Sequence, residues 1–418
     1  MSEATMKNYA NTMIQDILAE NMPNNSVVEA LKSHRFNAEK VHLVAIGKAA
    51  WSMSYAASEY LGDKIAKGVV ITKYDHSQGN LPNIEIIEAG HPIPDENTIK
   101  GTQKALDLVA NLTAEDEVLF LISGGGSALF EAPVENVSLA DLANLTDQLL
   151  ASGADITEMN TIRKRFSRVK AGRFAQACQP AKVFAIVLSD VLGDKLDTIA
   201  SGPAAPDSST VEEVLAIVDK YNLKLTDVQK EYLHKETPKS IENVETVVTG
   251  SVQSLCNSAA KSAEKLGFKP YVLTTTLNCE ASEAGRMFAS IAQDTQSGVN
   301  YFEKPCAIIA GGETIVNLKG TGKGGRNQEM ALATAIGIEN LEDTLFFSLG
   351  SDGTDGPTDA AGGMVTGQTV AKLKELNHNP EKILANNDAY HGLQAADGLI
   401  VTGPTGTNVN DVSVILCK

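Results

Sequence analysis

Several loops of this chain place bare amides or charged side chains where an anion could be held. Ser123-Gly124-Gly125-Gly126-Ser127 follows the apolar run 117–122. Glycines let backbone N–H groups approach a phosphate closely, and flanking hydroxyls add donors. The same stretch also reads as a tight strand-to-helix turn with no ligand. Gly47-Lys48 ends a second apolar run, 41–46. A lysine there is either a compact charge at a strand's C-terminal end or an ordinary residue of the next helix. In the C-terminal third, Gly311-Gly312-Glu313-Thr314 closes a strand, and Gly320-Thr321-Gly322-Lys323-Gly324-Gly325 leads into a helix that starts with Arg326. Ser351–Asp359 (SDGTDGPTD) follows another strand. Such groups at the ends of apolar strands are the usual anion site of an open α/β sheet. They point to an enzyme acting on a small phosphate- or carboxylate-bearing molecule.

Further candidates are less specific. Residues 160–173 carry Arg163, Lys164, Arg165, Arg168, Lys170 and Arg173 without one acid. The run reads as a polyanion clamp or as a solvated helix face balanced by nearby acids. Asp190 follows the buried run 182–188 and is either a Mg²⁺ ligand or a helix cap. Asp352, Asp355 and Asp359 could bind a cation, orient a substrate hydroxyl or simply form turns. Residues 320–325 fit G-x-G-x-x-G, a weak dinucleotide signal. Lys323 is followed by Gly324, not Ser or Thr, so the loop is no P-loop. His91, in the shaped loop 90–95, reads as structural.

These loops must be positioned by alternating strands and helices. Apolar runs at 41–46, 68–72, 84–88, 117–122 and 182–188 alternate with helical patterns at 48–60, 97–112 and 138–151. Continuous β-branched runs between amphipathic helices indicate a mostly parallel sheet covered on both faces. A second α/β segment starts near residue 244, with strands expected at 244–248, 270–276, 344–349, 399–402 and 412–416. A hairpin is expected from 306–310 and 315–318. The expected fold is α/β and two-lobed. A Rossmann-like N-terminal domain spans 1–240, and a smaller α/β domain spans 241–418, with the active site in the cleft between them.

Composition narrows the function classes. The 418 residues are 43% hydrophobic and 21% charged, as in soluble globular chains. A net charge of −17 disfavours nucleic acid as a partner. Five scattered cysteines read as reduced thiols, and neither a signal peptide nor a membrane span is expected, so a cytoplasmic location is expected.

Taken together, the motifs resemble the class II glycerate kinases, the glycerate 2-kinase family with the C-terminal MOFRL domain. The matching stretches are AIGKAA (45–50), AGHPIPD (89–95), LISGGGSALF (121–130), NTIRKRFSRVKAGRFA (160–175), VLSDVLGD (187–194), IASGPAAPD (199–207), GGETIVNLKGTGKGGRNQEMALA (311–333), SDGTDGPTDAAGG (351–363) and TGPTGTNVND (402–411). Ala171 stands where the family commonly has Gly, and Ile315 where it often has Thr. The resemblance implies ATP- and Mg²⁺-dependent phosphorylation of D-glycerate to 2-phosphoglycerate by a monomer or homodimer. It maps the catalytic lysine onto Lys48 and the active-site arginine onto Arg326. On this reading the 123–127 loop, Lys170, Gly172 and Arg173 hold ATP phosphates, and Asp190 holds Mg²⁺. Glu313, Asp352 and Asp355 meet the substrate, and the general base is one of Asp190, Asp352 and Asp355. Two other functions stay open: an NAD(P)H-dependent hydroxypyruvate reductase, a name some family members carry, and a non-enzymatic sugar-acid-binding protein.

Overall fold

The computed structural model describes residues 2–189, 195–299, 301–403, 405–407 and 409–418. The chain divides into two compact units, Pro23–Thr249 and Met1–Met22 with Gly250–Lys418. Each unit is built on its own six-stranded sheet.

The first sheet contains β1 (Val41–Ile46), β2 (Ile65–Lys73), β3 (Ile84–Ala89), β4 (Glu117–Ile122), β5 (Lys182–Leu188) and β6 (Val244–Gly250). Their order is β3-β2-β1-β4-β5-β6, and β3, β2, β1, β4 and β5 pair in parallel. The run EVLFLI of β4 is buried at every residue, because helices cover both faces of a central parallel strand. Phe120 of β4 packs on Phe174 (ring centroids 4.7 Å apart), which meets Phe130 at 5.1 Å. Truncating one such ring typically costs about 3–5 kcal/mol. Helices here start at capping boxes, Asp95 with Thr98 and Ser138 with Asp141, so their first amides are satisfied locally.

The second sheet contains β7 (Lys269–Leu277), β8 (Cys306–Gly312), β9 (Thr344–Gly350), β10 (Gly362–Thr366), β11 (Leu399–Ile400) and β12 (Asp411–Cys417). The order is β11-β10-β9-β12-β8-β7. β7 and β8 are parallel, whereas β12 runs antiparallel to both β8 and β9. Asp411, the first residue of β12, therefore lies opposite Gly312 and Gly350, the last residues of β8 and β9. This register gathers the loops after β8 and β9 around the start of β12.

The α/β two-unit reading holds, but the boundaries differ from 1–240 and 241–418. β6 belongs to the first sheet, so the first unit runs to residue 249. Residues 1–22 belong with the C-terminal unit. The helix Glu3–Glu20 buries Met6, Ala10, Met13, Ile14 and Ile17, an apolar stripe that needs cover. It packs on the helix Val252–Lys265: Asn21 donates to Ser258 (3.0 Å), and Ser262 donates to Asp16 (2.6 Å). The expected hairpin is absent. Both edges of β8 are taken by β7 and β12, and Ile315 makes only an isolated bridge with Glu280. β10 escaped the sequence reading because it opens on Gly362-Gly363, and glycine weakens a strand signal.

Candidate active site

In the first sheet β1 and β4 are neighbours, and their connections lead to opposite sides. The crevice outside their C-terminal ends is the topological switch point, where open α/β sheets bind ligands. The Lys48 loop and the 123–127 loop meet there. Gly47 has φ +111°, and a Cβ on it would overlap the hydroxyl and carbonyl of Ser123. Ser123 Oγ donates to the Ile46 carbonyl (3.2 Å) and accepts from the Ala49 amide (3.1 Å). The Lys48 amide donates to the Gly124 carbonyl (2.9 Å). The two loops are thus tied by their backbones. The half-buried Lys48 ammonium and the amides of Gly124 and Gly125 have no partner among the described residues.

His91 borders this crevice. A Cβ on Gly125 (φ +84°) would lie 3.1 Å from His91 Nε2 and 3.2 Å from Lys48 Cγ. Burial, then the charges of Lys48 and Lys73, hold the His91 imidazole down at a pKa of about 4. It is therefore a neutral ring beside Lys48 at neutral pH. The sequence reading left it out, although its place in a loop after β3 was a usable signal.

Four side chains of the basic run, Lys164, Arg165, Lys170 and Arg173, are engaged within the protein. Lys170 is fully buried and donates to the Ser127 carbonyl (2.8 Å), the Phe130 carbonyl (3.1 Å) and Glu131 (2.6 Å). An ammonium has three donors, so none is left for ATP. Lys170 instead holds the segment behind the glycine loop. The Gly172 amide donates to the Gly202 carbonyl (2.7 Å), and Arg173 donates to the carbonyls of Lys164 and Ser167 (both 2.6 Å). Lys164 pairs with Asp207 (3.1 Å), and Arg165 donates to the carbonyls of Lys235 (2.9 Å) and Ser209 (3.0 Å). Apart from the Lys164 and Ser167 carbonyls that take Arg173, the acids and carbonyls that answer these side chains are remote in sequence. Ser127 Oγ lies 2.7 Å from Ser201 Oγ. Asp190 lies outside the described residues.

In the second unit, Arg326 opens the helix Arg326–Gly337. Its Nε and Nη2 donate to the two oxygens of Asp411 (2.5 and 3.1 Å), and Nη1 donates to Glu313 (3.1 Å). The pairing raises the Arg326 pKa against its own desolvation. Burial pushes Asp411 up to about 6 despite the guanidinium. Asp411 was not singled out from sequence. An acid at the first position of an apolar strand was the signal available.

Asp355 serves as a helix cap. It is 3% exposed and accepts the amides of Asn327 (3.2 Å) and Gln328 (2.9 Å). Gly325, at the N-cap, has no side chain to do this, so a distant carboxylate caps the helix. Burial raises its pKa. Both its carboxylate oxygens are thus engaged by the helix start. Asp352 accepts from the Thr354 amide (2.9 Å) and hydroxyl (3.1 Å) with one oxygen, a turn-forming role. Exposed Asp359 accepts from Tyr390 (2.8 Å).

Most of the 320–325 loop is engaged within the protein. The amides of Lys319 and Gly320 donate to the Asn387 side chain (2.8 and 2.9 Å). Those of Thr321 and Gly322 donate to the side chain and carbonyl of Asn386 (3.2 and 2.9 Å), and that of Lys323 to Asp388 (2.9 Å). Five successive amides are occupied by one connecting segment.

Residues 306–411 match the MOFRL family, and residues 9–234 match a domain of unknown function, DUF4147. A D-glycerate 2-kinase of Thermotoga maritima is 52% identical over 410 residues, covering 98% of both chains. A glycerate 2-kinase of Pyrococcus horikoshii is 43% identical over 388 residues, covering 90% of this chain and 87% of that one. The crystal structure of a Thermotoga maritima glycerate kinase superposes with a TM-score of 0.97 at 51% identity, covering all of both chains. The chain belongs to the class II glycerate kinase family that carries the MOFRL domain.

Proposed function

We propose that the protein transfers the γ-phosphoryl group of ATP to the 2-hydroxyl of D-glycerate, giving 2-phosphoglycerate and ADP. The observation that carries this reading is the pair of amides at Gly124 and Gly125 beside the Lys48 ammonium, all without a partner among the described residues, at the switch point of a parallel sheet. Phosphoryl transfer needs little covalent help. It needs in-line positioning and positive charge around the transferring group.

In the first unit, the 123–127 loop receives the ATP phosphates on its free amides, and Lys48 neutralises the γ-phosphoryl group. In the second unit, Arg326 takes the glycerate carboxylate through its Nη1 edge. Glu313 accepts from a glycerate hydroxyl, and Asp352 offers the carboxylate oxygen not used in its turn. Among the described residues no cluster of three or more His, Cys, Asp or Glu could hold a metal ion. Mg²⁺ usually binds on phosphate oxygens with one or two carboxylates, and Asp190, outside the described residues, would be the carboxylate for that role. When bound it neutralises charge on the phosphates. The reductase reading is weakened, because the amides from Lys319 to Lys323, at the first two glycines of the G-x-G-x-x-G loop, are taken by Asn386, Asn387 and Asp388.

The test is to incubate the protein with D-glycerate, ATP and Mg²⁺ and record ³¹P NMR spectra. A 2-phosphoglycerate signal is expected. A 3-phosphoglycerate signal would overturn the proposed substrate orientation. Intact ATP with NADH oxidation on hydroxypyruvate would restore the reductase.

A further inference from the structure

The two carboxylates on Arg326 differ in kind. Asp411 is 5% exposed and grips the guanidinium through Nε and Nη2, whereas Glu313 is half-exposed and meets Nη1 alone. A two-point contact along the Nε edge fixes the guanidinium plane, and a one-point contact does not. Asp411 is itself immobile. It begins β12, hydrogen-bonded between two strands, and the residues opposite it are glycines that leave room for the pair. The charged groups around it are Arg326 and the buried Asp355, with Asn327 in contact.

We infer that Asp411 is a positioning residue for phosphoryl transfer, holding the Arg326 guanidinium in one plane so that its Nη1 edge faces the substrate anion. This rests on the reading of Arg326 as catalytic. A buried partner on one edge and an exposed, weakly held one on the other leave a single working edge. Substrate then exchanges contacts with Glu313 and never competes with Asp411.

A double-mutant cycle tests it on the full chain: Arg326→Ala, Asp411→Asn and the double variant, each with turnover and thermal melting. Asparagine keeps the shape of Asp411 but turns one acceptor into a donor facing the guanidinium. The expected result for Asp411→Asn is a kcat lower by about 10²-fold, the scale of a misplaced catalytic group. KM for ATP should stay within about twofold, and the double variant should be no slower than Arg326→Ala alone. Multiplying effects in the double variant, or unchanged turnover of folded Asp411→Asn, would overturn the inference. Should Asp411→Asn not fold, Asp411→Glu decides. It keeps the charge but moves it by one methylene. It should slow the Arg326 protein and leave Arg326→Ala unaffected, and equal turnover with Arg326 in place would sink the idea. If Arg326→Ala alone keeps full turnover, the reading of Arg326 has failed, and the single variant shows it.

Discussion

Two glycine-rich loops of this chain look alike in sequence and differ in how far the protein itself fills them. Both 123–127 and 320–325 precede a helix and supply closely spaced amides. In the first, Gly124 and Gly125 keep unpartnered amides. In the second, the amides from Lys319 to Lys323 are filled by Asn386, Asn387 and Asp388, and a Cβ on Gly320 or Gly322 would overlap that segment; within this loop only the Gly324 and Gly325 amides, at the helix start, are without a partner among the described residues. Glycine reports that something must approach the backbone closely. It does not report whether that something is a ligand or the rest of the protein. Only the occupancy of the amides separates the cases.

The charges nearest each loop give the largest expected effects. Lys48→Ala beside the open loop and Arg326→Ala after the filled one should each lower turnover by roughly 10³-fold, the scale for a cation acting on a transferring phosphoryl group. Steady-state assays with melting curves check this. A folded Lys48→Ala protein with near-normal turnover would break the assignment of the open loop.

Substituting the glycines themselves sharpens the contrast. Gly125→Ala adds a methyl at a positive φ of 84°, against His91 and the stem of Lys48. It should raise KM for ATP and lower kcat/KM by about 10- to 100-fold, the span of one to two lost phosphate contacts. Gly322→Ala meets Asp388 and the Asn386 carbonyl instead. Its effect should be a lower melting temperature, from overpacking of about 1–3 kcal/mol, with turnover per folded molecule nearly unchanged. Exchanged phenotypes would reverse the roles of the two loops.

His91 offers a finer probe of the open loop. Its imidazole should titrate near pH 4 by NMR, mainly through burial and next through Lys48. The folded-state pKa is depressed below the unfolded value, about 6.5. The contribution of His91 to stability is therefore present above pH 6.5 and lost as pH falls toward 4. Lys48→Met should raise the His91 pKa, though not to 6.5, because burial remains. ATP should raise it too, since phosphates bring negative charge beside the ring. No change with ATP would count against phosphate binding at this loop.

Much of this was legible in sequence. Continuous apolar runs identified β1, β4 and β5, since a central parallel strand needs no polar face. The loops after them, with Lys48 and 123–127, were legible because glycine and lysine at a strand end are unusual there. The fate of the charged run 160–173 was not legible. Whether Lys170 faces ATP or Glu131 depends on residues far away in the chain. The same holds for Asp355, which turn chemistry could explain and which in fact caps a helix that begins 29 residues earlier at Arg326. The domain boundary failed for a similar reason. The strand pattern of β6 does not say which sheet it joins, and the first helix shows an apolar stripe without naming its cover.

The smallest expected effect concerns the turn at 170–173, a third glycine-bearing loop. Ala171 sits at φ +55°, in the left-handed region, where a Cβ costs roughly 1–2 kcal/mol. Glycine would adopt that conformation without this cost. Ala171→Gly removes the strain but adds freedom to the unfolded chain, an offset of roughly 0.5–1 kcal/mol. The net gain should be about 0.5 kcal/mol, measurable as a small rise in the urea midpoint. Turnover and KM for ATP should not move, because the Ala171 amide already donates to the Ser201 carbonyl (3.0 Å) and faces no ligand. A lower KM for ATP in this variant would mean that the turn does touch phosphate, placing it with the 123–127 loop and not with 320–325.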